Sequence, residues 1–227
     1  MKREIITTED GSKTIHIPEW NEQYHSKHGA IQEANYVYID KGLVGFLSSD
    51  NNKKSIQEVS VLEIGFGTGL NAFLTLHYAE KHQLAITYVG VEAFPISPEE
   101  LQSLNYTELT AENESLWLKN MHEQPWETLE VVSQHFKLKK QKKSFLDIRD
   151  QSEFDIIYFD AFGPRVQPEL WTEAVFKTMY DALKVNGVLV TYCAQGHARR
   201  AMISAGFKVE KLQGPPGKRH MLRAFKM

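Results

Sequence analysis

Short apolar runs alternate with longer amphipathic stretches over most of the chain. The apolar runs have the length and composition of buried strands, and the amphipathic stretches have helical spacing. Strands are predicted at 59–64, 86–91, 154–159, 188–192, 207–211 and 221–225, and helices at 70–77, 171–183 and 198–205. This alternation predicts an α/β fold: a doubly wound, mostly parallel, seven-stranded sheet with an antiparallel hairpin at its C-terminal edge.

The pattern also predicts additions to this core. Residues 3–7 and 13–17 alternate apolar and polar positions around a turn, which predicts a β-hairpin, and Tyr36–Ile39 is strand-like. We expect one domain over 1–227, in which 1–55 form an N-terminal extension over the ligand site of a Rossmann-like core, 56–227.

Two features are predicted between the second and fourth core strands. A helical insertion of two or three helices is expected at about 97–137, starting with a capping Ser97. The third strand of the sheet is predicted to end at Phe145–Asp147.

Composition excludes several classes of protein. The single cysteine, Cys193, rules out an internal disulfide and fits a reducing cytosol, so a cytoplasmic location is predicted. No apolar run approaches the length of a membrane span, and no histidine pair has metal-ligand spacing, so neither a membrane nor a metal site is predicted.

Charge is distributed unevenly. The formal net charge is −3, yet residues 184–227 contain nine basic residues and one acidic residue. A second basic cluster lies at 137–143. Such asymmetry is consistent with a polyanionic partner that contacts one face, or with a solvated basic surface.

The candidate chemistry begins with the segment Val61–Asn71. A buried strand is followed by Gly65, Gly67 and Gly69 and then by a helix, which is the nucleotide-binding start of a βαβ unit. Glu63 would repel a pyrophosphate and suits a ligand with an amine or sulfonium cation. Glu92 ends the next strand, where a carboxylate can bind both ribose hydroxyls. A tight turn in an unrelated α/β protein is the alternative.

Together these residues resemble the first two motifs of class I S-adenosyl-L-methionine (SAM) methyltransferases. The resemblance implies SAM as cofactor, with Phe66 or Tyr158 near the sulfonium and Asp147 near the adenine amino group, although Asp147 could instead cap a helix. The residues expected to hold SAM are Glu63, Gly65, Phe66, Gly67, Gly69, Asn71, Glu92, Asp147 and Asp160.

Asp160 follows the fourth strand, at the sheet edge where ligands of such folds bind. An amine must be unprotonated to accept a methyl group, and a carboxylate can orient its N–H groups and receive the proton. We therefore expect Asp160 to be the catalytic residue, with Phe162 and Pro164 as walls of the acceptor pocket. The alternative is that Asp160 caps the following turn.

A narrower resemblance covers the chain from about residue 20 to its end. The segments 63–71, 159–164, 191–196 and 217–222 are similar to the methyltransferase domain that completes 5-methylaminomethyl-2-thiouridine at the tRNA wobble position. The resemblance implies N-methylation of 5-aminomethyl-2-thiouridine in the anticodon stem-loop. Many relatives carry a fused flavin-dependent oxidase, and no oxidase domain is expected here. The residues expected to contact tRNA phosphates are Arg199, Arg200, Lys218 and Arg219.

Two other functions remain open at this point. An aminopropyltransferase of the spermidine synthase kind, which acts on a free polyamine, would need an acidic acceptor pocket and no basic flank; another small-amine N-methyltransferase is a related alternative. A non-catalytic RNA-binding protein with the same fold would have a degenerate ligand crevice.

Overall fold

The computed structural model describes residues 2–49, 56–106 and 115–227, with Ser115 described by its backbone alone. Eleven strands in this part of the chain form a three-stranded and an eight-stranded sheet. They are β1 (Glu4–Thr7), β2 (Lys13–Ile17), β3 (Glu22–Gln23), β4 (Glu58–Ile64), β5 (Ala85–Val91), β6 (Leu129–Ser133), β7 (Phe136–Gln141), β8 (Phe154–Phe159), β9 (Leu183–Thr191), β10 (Lys208–Gln213) and β11 (His220–Phe225).

The eight-stranded sheet has the order β10-β11-β9-β8-β4-β5-β7-β6. Its five inner strands β9, β8, β4, β5 and β7 are parallel, and β10–β11 form an antiparallel hairpin at one edge. The predicted doubly wound α/β fold is therefore confirmed. The sheet has one strand more than predicted, because β6 adds antiparallel to β7 at the other edge.

Helices cover both faces of this sheet. They are α1 (Ala30–Ala34), a π-helix (Asn35–Val44), α2 (Gly45–Leu47), α3 (Leu70–His82), α4 (Pro98–Gln102), α5 (Ser115–Glu123), α6 (Glu173–Ala182) and α7 (Gly196–Ser204), with short 3-10 helices at Phe145–Asp147 and Pro168–Trp171. Neighbouring residues of a central strand, such as Val61 and Leu62, belong to different core clusters, as expected when both sheet faces are buried. None of the helices in the described residues is long and apolar enough to cross a membrane.

The N-terminal predictions have mixed outcomes. The hairpin is confirmed, because β1 and β2 pair antiparallel with Glu4 opposite His16. The strand predicted at Tyr36–Ile39 is wrong, because these residues lie inside the π-helix. Its buried positions Val37, Tyr38, Ile39, Gly42 and Leu43 form one helical face against the sheet. Burial of that face overrides the strand preference of aromatic and β-branched residues.

The region 97–137 is helical only in part. The predicted start at Ser97 is confirmed: its hydroxyl accepts the Glu100 N–H at 3.2 Å and the Glu100 carboxylate accepts the Ser97 N–H at 2.7 Å. Residues 107–114 lie outside the described part of the chain. The helical prediction is wrong at 129–133 and 136–137, which form β6 and the start of β7.

The third parallel strand is β7 and does not end at Phe145–Asp147, which form a 3-10 helix. Lysines hide the apolar alternation of β7 in the sequence. Lys140 points inward with Phe136 and Leu138, and its ammonium donates to the His122 carbonyl at 2.6 Å. Lys140 can occupy this core position because its ammonium pairs with the His122 carbonyl in the last turn of α5, where a cation is favourable.

Candidate active site

A cavity of about 950 Å³ opens at the carboxyl ends of β4, β5 and β8. Its wall is formed by the N-terminal segment 20–28, which includes β3, by the glycine turn, by the loops after β8 and β9 and by the β10–β11 turn. Ten of the predicted site residues line it: Gly65, Phe66, Gly67, Asn71, Glu92, Asp160, Phe162, Pro164, Lys218 and Arg219.

The glycine turn brings backbone close to both the cavity and the loop after β8. Gly65, Gly67 and Gly69 all have positive φ, at 93°, 51° and 75°. A Cβ on Gly65 would lie 2.7 Å from the Asp160 carbonyl oxygen, so a side chain there would collide with backbone. Gly69 is the left-handed N-cap of α3 and lies behind the wall, against Phe66 and His122.

Glu92 supports this turn. Its carboxylate accepts the N–H groups of Gly67 and Phe94, each at 2.9 Å, and the residue is almost fully buried. Each carboxylate oxygen has a second acceptor position, so two further hydroxyl groups can bind here.

Glu63 lies behind the wall, and Asn71 separates it from the cavity. The Asn71 amide donates to Glu63 Oε1 at 2.9 Å and to Asp160 Oδ2 at 2.8 Å. Burial, with the nearby Asp160 charge, raises the pKa of Glu63 well above its usual value. Asn71 Oδ1 is buried and has no hydrogen-bond partner among the described residues. The same cavity wall carries this orphaned acceptor, the Glu92 carboxylate and the glycine turn, and together they fit a ligand with an ammonium group and ribose hydroxyls, as SAM has.

Asp160 is held by two donors. Its Oδ1 accepts the Tyr38 hydroxyl at 2.6 Å, and its Oδ2 accepts the Asn71 amide. Burial raises the pKa of Asp160 to about 6, while these two hydrogen bonds act in the opposite direction. Its carboxylate is therefore mainly ionised at neutral pH and close to a pH at which it takes up a proton.

Aromatic rings from distant segments surround the outer part of the cavity. Phe162 makes edge contacts with Trp20 and Tyr24, with ring centroids 5.3 and 5.1 Å apart. The Trp171 indole donates to the Phe162 carbonyl at 2.9 Å and fixes the loop that also contains Pro164. The sequence predicted an N-terminal extension over the ligand site but did not assign Trp20, Tyr24 and Tyr38 to it, because only the tertiary fold decides which side chains of that extension enter the cavity.

Lys218 lies inside the cavity. Its ammonium donates to Glu33 Oε1 at 2.5 Å and lies 3.9 Å from the centroid of the Tyr192 ring. Glu33 Oε2 accepts the Ser26 N–H at 2.9 Å. The side chain predicted to meet phosphate is thus already paired with a carboxylate. Arg219 is exposed on the same turn, and Arg199 and Arg200 are exposed on α7, outside the cavity wall.

The direct SAM contacts predicted for Glu63 and Gly69 are wrong, because both residues lie behind the cavity wall. Two further predicted contacts also lack the required placement. Asp147 is exposed on a 3-10 helix, and the nearby cavity wall consists of Ser144, Phe145 and Leu146. Its predicted place at a strand end is wrong because the third strand ends six residues earlier, at Gln141. Tyr158 is fully buried and does not line the cavity, whereas Phe66 does. In the described part of the chain, no three His, Cys, Asp or Glu side chains are grouped so as to hold a metal ion.

Comparisons with known proteins agree with this geometry. Residues 108–227, more than half of the chain, match the family described as S-adenosyl-L-methionine-dependent methyltransferase. The chain is 31% identical over 219 residues to the tRNA 5-methylaminomethyl-2-thiouridine biosynthesis bifunctional protein MnmC of Paracidovorax citrulli, and the match covers 91% of this chain and 33% of that protein. The chain spans between a third and three-fifths of the length of the curated relatives it matches.

Solved structures show the same fold. MNMC2 from Aquifex aeolicus superposes with a TM-score of 0.78 at 24% identity, over 100% of this chain and 70% of that one. A probable spermidine synthase from Corynebacterium glutamicum gives 0.54 at 13% identity, over 98% and 76%. The family match, the strand order and the glycine turn agree. The chain therefore belongs to the S-adenosyl-L-methionine-dependent methyltransferases and is an enzyme that uses this cofactor.

Proposed function

We propose that this enzyme methylates the aminomethyl nitrogen of 5-aminomethyl-2-thiouridine at the wobble position of tRNA, giving 5-methylaminomethyl-2-thiouridine. The MnmC relative, whose name states this product, supports the substrate. The observation that carries the chemistry is the Asp160 carboxylate, which is fixed by two donors in a cavity with aromatic walls.

The cofactor site is built from residues of the described core. Gly65, Gly67, Asn71 and Glu92 line the inner cavity and would hold SAM, with Glu63 supporting Asn71 from behind. When bound, SAM supplies the methyl group as an electrophile attached to a sulfonium. Phe66 also lines this cavity and would be the aromatic residue near that cation.

Asp160 provides the proton chemistry. An amine attacks only as the neutral base, so an N–H group must be oriented and a proton must leave the nitrogen. An Asp160 carboxylate with a pKa of about 6 is ionised at neutral pH, accepts that N–H and takes up the proton released after methylation.

The outer cavity suits a nucleobase. Phe162, Trp20 and Tyr24 form an aromatic cluster at the acceptor side, on which a base can stack. A wobble uridine would leave the anticodon stack to enter, as is usual for RNA bases that are modified. The exposed Arg199, Arg200 and Arg219 offer positive charge for the flanking phosphates.

The same cavity argues against a polyamine acceptor. A spermidine-synthase-like enzyme needs several carboxylates facing the acceptor. Here Glu22 pairs with Arg165 at 2.9 Å and Glu33 pairs with Lys218, so two of the wall carboxylates are neutralised. This arrangement favours an acceptor with one amine.

The test is methyl transfer from labelled SAM to bulk tRNA from a strain that lacks this activity, followed by nucleoside analysis. Wild type is compared with Asp160→Asn and with Asp181→Asn, a matched change in an exposed ion pair on α6. We expect label in 5-methylaminomethyl-2-thiouridine with wild type and Asp181→Asn, and a loss of about 100-fold or more with Asp160→Asn. Label in small amines but not in RNA would overturn the proposed substrate, and full activity of Asp160→Asn would overturn the role of Asp160.

A further inference from the structure

The π-helix Asn35–Val44 places one tyrosine hydroxyl directly against the proposed catalytic carboxylate. Tyr38 is 2% exposed, and its hydroxyl donates to Asp160 Oδ1 at 2.6 Å across 122 positions of sequence. We propose that Tyr38 is the positioning residue for Asp160: its hydroxyl fixes the carboxylate rotamer and keeps the group ionised for the acceptor amine. The identity of the acceptor amine in this inference rests on the proposed function, whereas the hydrogen bond between Tyr38 and Asp160 does not depend on it.

The backbone of the π-helix is held close to the sheet. Gly42 packs so closely that a Cβ there would lie 3.0 Å from Val190 and 3.1 Å from Tyr158. Val37 and Leu43 are fully buried on the same helix, and the Tyr38 ring packs against the Tyr158 ring with centroids 5.2 Å apart. Because these contacts leave little freedom, the Tyr38 hydroxyl is fixed in place before a substrate binds. π-helical segments are rare and are frequently found at functional sites.

The bond geometry leaves Asp160 able to serve the acceptor. Tyr38 occupies one acceptor position on Oδ1 and Asn71 occupies one on Oδ2. A carboxylate has about four such positions, so each oxygen can still accept an N–H. Two fixed donors from different elements, the π-helix and α3, define the plane of the carboxylate. One donor would leave it free to rotate.

Several charged groups act on Asp160 from the elements packed around it. Glu33 on α1 disfavours its ionisation, Lys218 on the β10–β11 turn favours it, and burial is the largest effect and disfavours it. Glu63 on β4 and the hydroxyls of Tyr88 and Tyr192 also lie within electrostatic range. Of the groups that favour the charged form of Asp160, the Tyr38 hydroxyl has the largest effect, as expected of a short hydrogen bond to a carboxylate.

The experiment compares wild type, Tyr38→Phe and Tyr158→Phe. Both variants lose one hydroxyl from a fully packed tyrosine of the same cluster, but the Tyr38 hydroxyl bonds to Asp160, whereas the Tyr158 hydroxyl interacts with Thr75. The first readout is carboxyl-¹³C NMR of the free protein with labelled aspartate, in which Asp160→Asn identifies the Asp160 resonance. Tyr38→Phe is expected to raise the pKa of Asp160 above about 6, and Tyr158→Phe to leave it within about 0.3 of wild type.

The second readout is kinetic. For Tyr38→Phe we expect kcat to fall by about 10-fold to 100-fold near pH 7, with its acid limb moved to higher pH and the Kd for SAM within about twofold of wild type. If Tyr38 had a purely structural role, kcat would fall equally in Tyr38→Phe and Tyr158→Phe, and the acid limb of the pH profile would not move. An unchanged Asp160 titration in Tyr38→Phe would overturn the inference.

A second variant guards against a folding defect. Replacing Tyr38 with 3-fluorotyrosine keeps the ring and makes the hydroxyl a stronger donor, so the pKa of Asp160 should fall, opposite to the effect of Tyr38→Phe. A rise, or no change, would overturn the inference. The NMR titration also separates the two claims, because it decides the Tyr38–Asp160 coupling even if wild type methylates no RNA.

Discussion

Gly65→Ala tests whether the glycine turn packs directly against the backbone of Asp160, at the start of the loop after β8. Gly65 has a φ of +93°, and an alanine Cβ would lie 2.7 Å from the Asp160 carbonyl oxygen. A side chain at such a φ costs about 1–2 kcal/mol, and overpacking adds about 1–3 kcal/mol. The lower entropy of the unfolded alanine chain offsets about 0.4–1 kcal/mol. The expected net loss in the free energy of unfolding is therefore about 1–5 kcal/mol.

Gly163→Ala is the matched control on the same cavity wall. A Cβ at Gly163 would be 3.7 Å from the Tyr192 hydroxyl, an ordinary contact, and its φ is not in the left-handed region. We expect Gly163→Ala to raise the free energy of unfolding by no more than about 1 kcal/mol. Urea unfolding followed by circular dichroism at constant m-value gives both free energies. If Gly65→Ala were as stable as Gly163→Ala, the predicted backbone contact would be refuted.

The two variants should also differ in activity. To relieve the contact in Gly65→Ala, the peptide after Asp160 must move, and the carboxylate moves with it. Methyl transfer per folded molecule should then fall about tenfold or more in Gly65→Ala, but not in Gly163→Ala, because small misplacements at a reacting centre are costly.

Three further changes test the charges of the site. The pKa of Asp160 is raised from 3.8 to about 6, so its ionisation destabilises the folded protein as pH rises through about 6. Asp160→Asn should therefore raise the free energy of unfolding at pH 7 by up to about 3 kcal/mol relative to wild type. Urea titrations should show this difference between variant and wild type become smaller toward pH 5, and a difference independent of pH would contradict the assignment. Lys218→Met leaves the Glu33 carboxylate buried without its cation and should lower the free energy of unfolding by about 1–3 kcal/mol. The double variant Lys218→Met with Glu33→Gln should recover most of that loss, and an equal loss in the double variant would exclude coupling between the two residues. Arg199→Glu with Arg200→Glu should weaken tRNA binding and lower its salt dependence while the Kd for SAM stays constant, and unchanged tRNA affinity in filter binding would remove α7 from the RNA interface.

Local sequence patterns were sufficient where one short segment forms the structure. Gly65, Gly67 and Gly69 adopt the positive φ values that their residue type permits, at the expected junction of β4 and α3. The apolar runs became the inner strands, since a parallel sheet covered on both faces requires them.

Local patterns misled where packing opposed them. Lysines on β7 concealed the third strand, and its true end at Gln141 displaced Asp147 from the predicted site. The aromatic run around Tyr38 has strand preference, yet burial of one continuous face made it a π-helix.

The sequence alone therefore determined the fold class, the glycine turn and the carboxylates of Glu92 and Asp160 just after their strands, because each depends on residues that are neighbours in the chain. The tertiary structure decided which groups hold Asp160 and how the acceptor side is charged. Tyr38 lies 122 positions from Asp160, and Lys218 lies 185 positions from Glu33. Such contacts form only when the N-terminal segment and the β10–β11 turn both pack over the sheet edge, and residue spacing in the chain does not specify which of their side chains then meet.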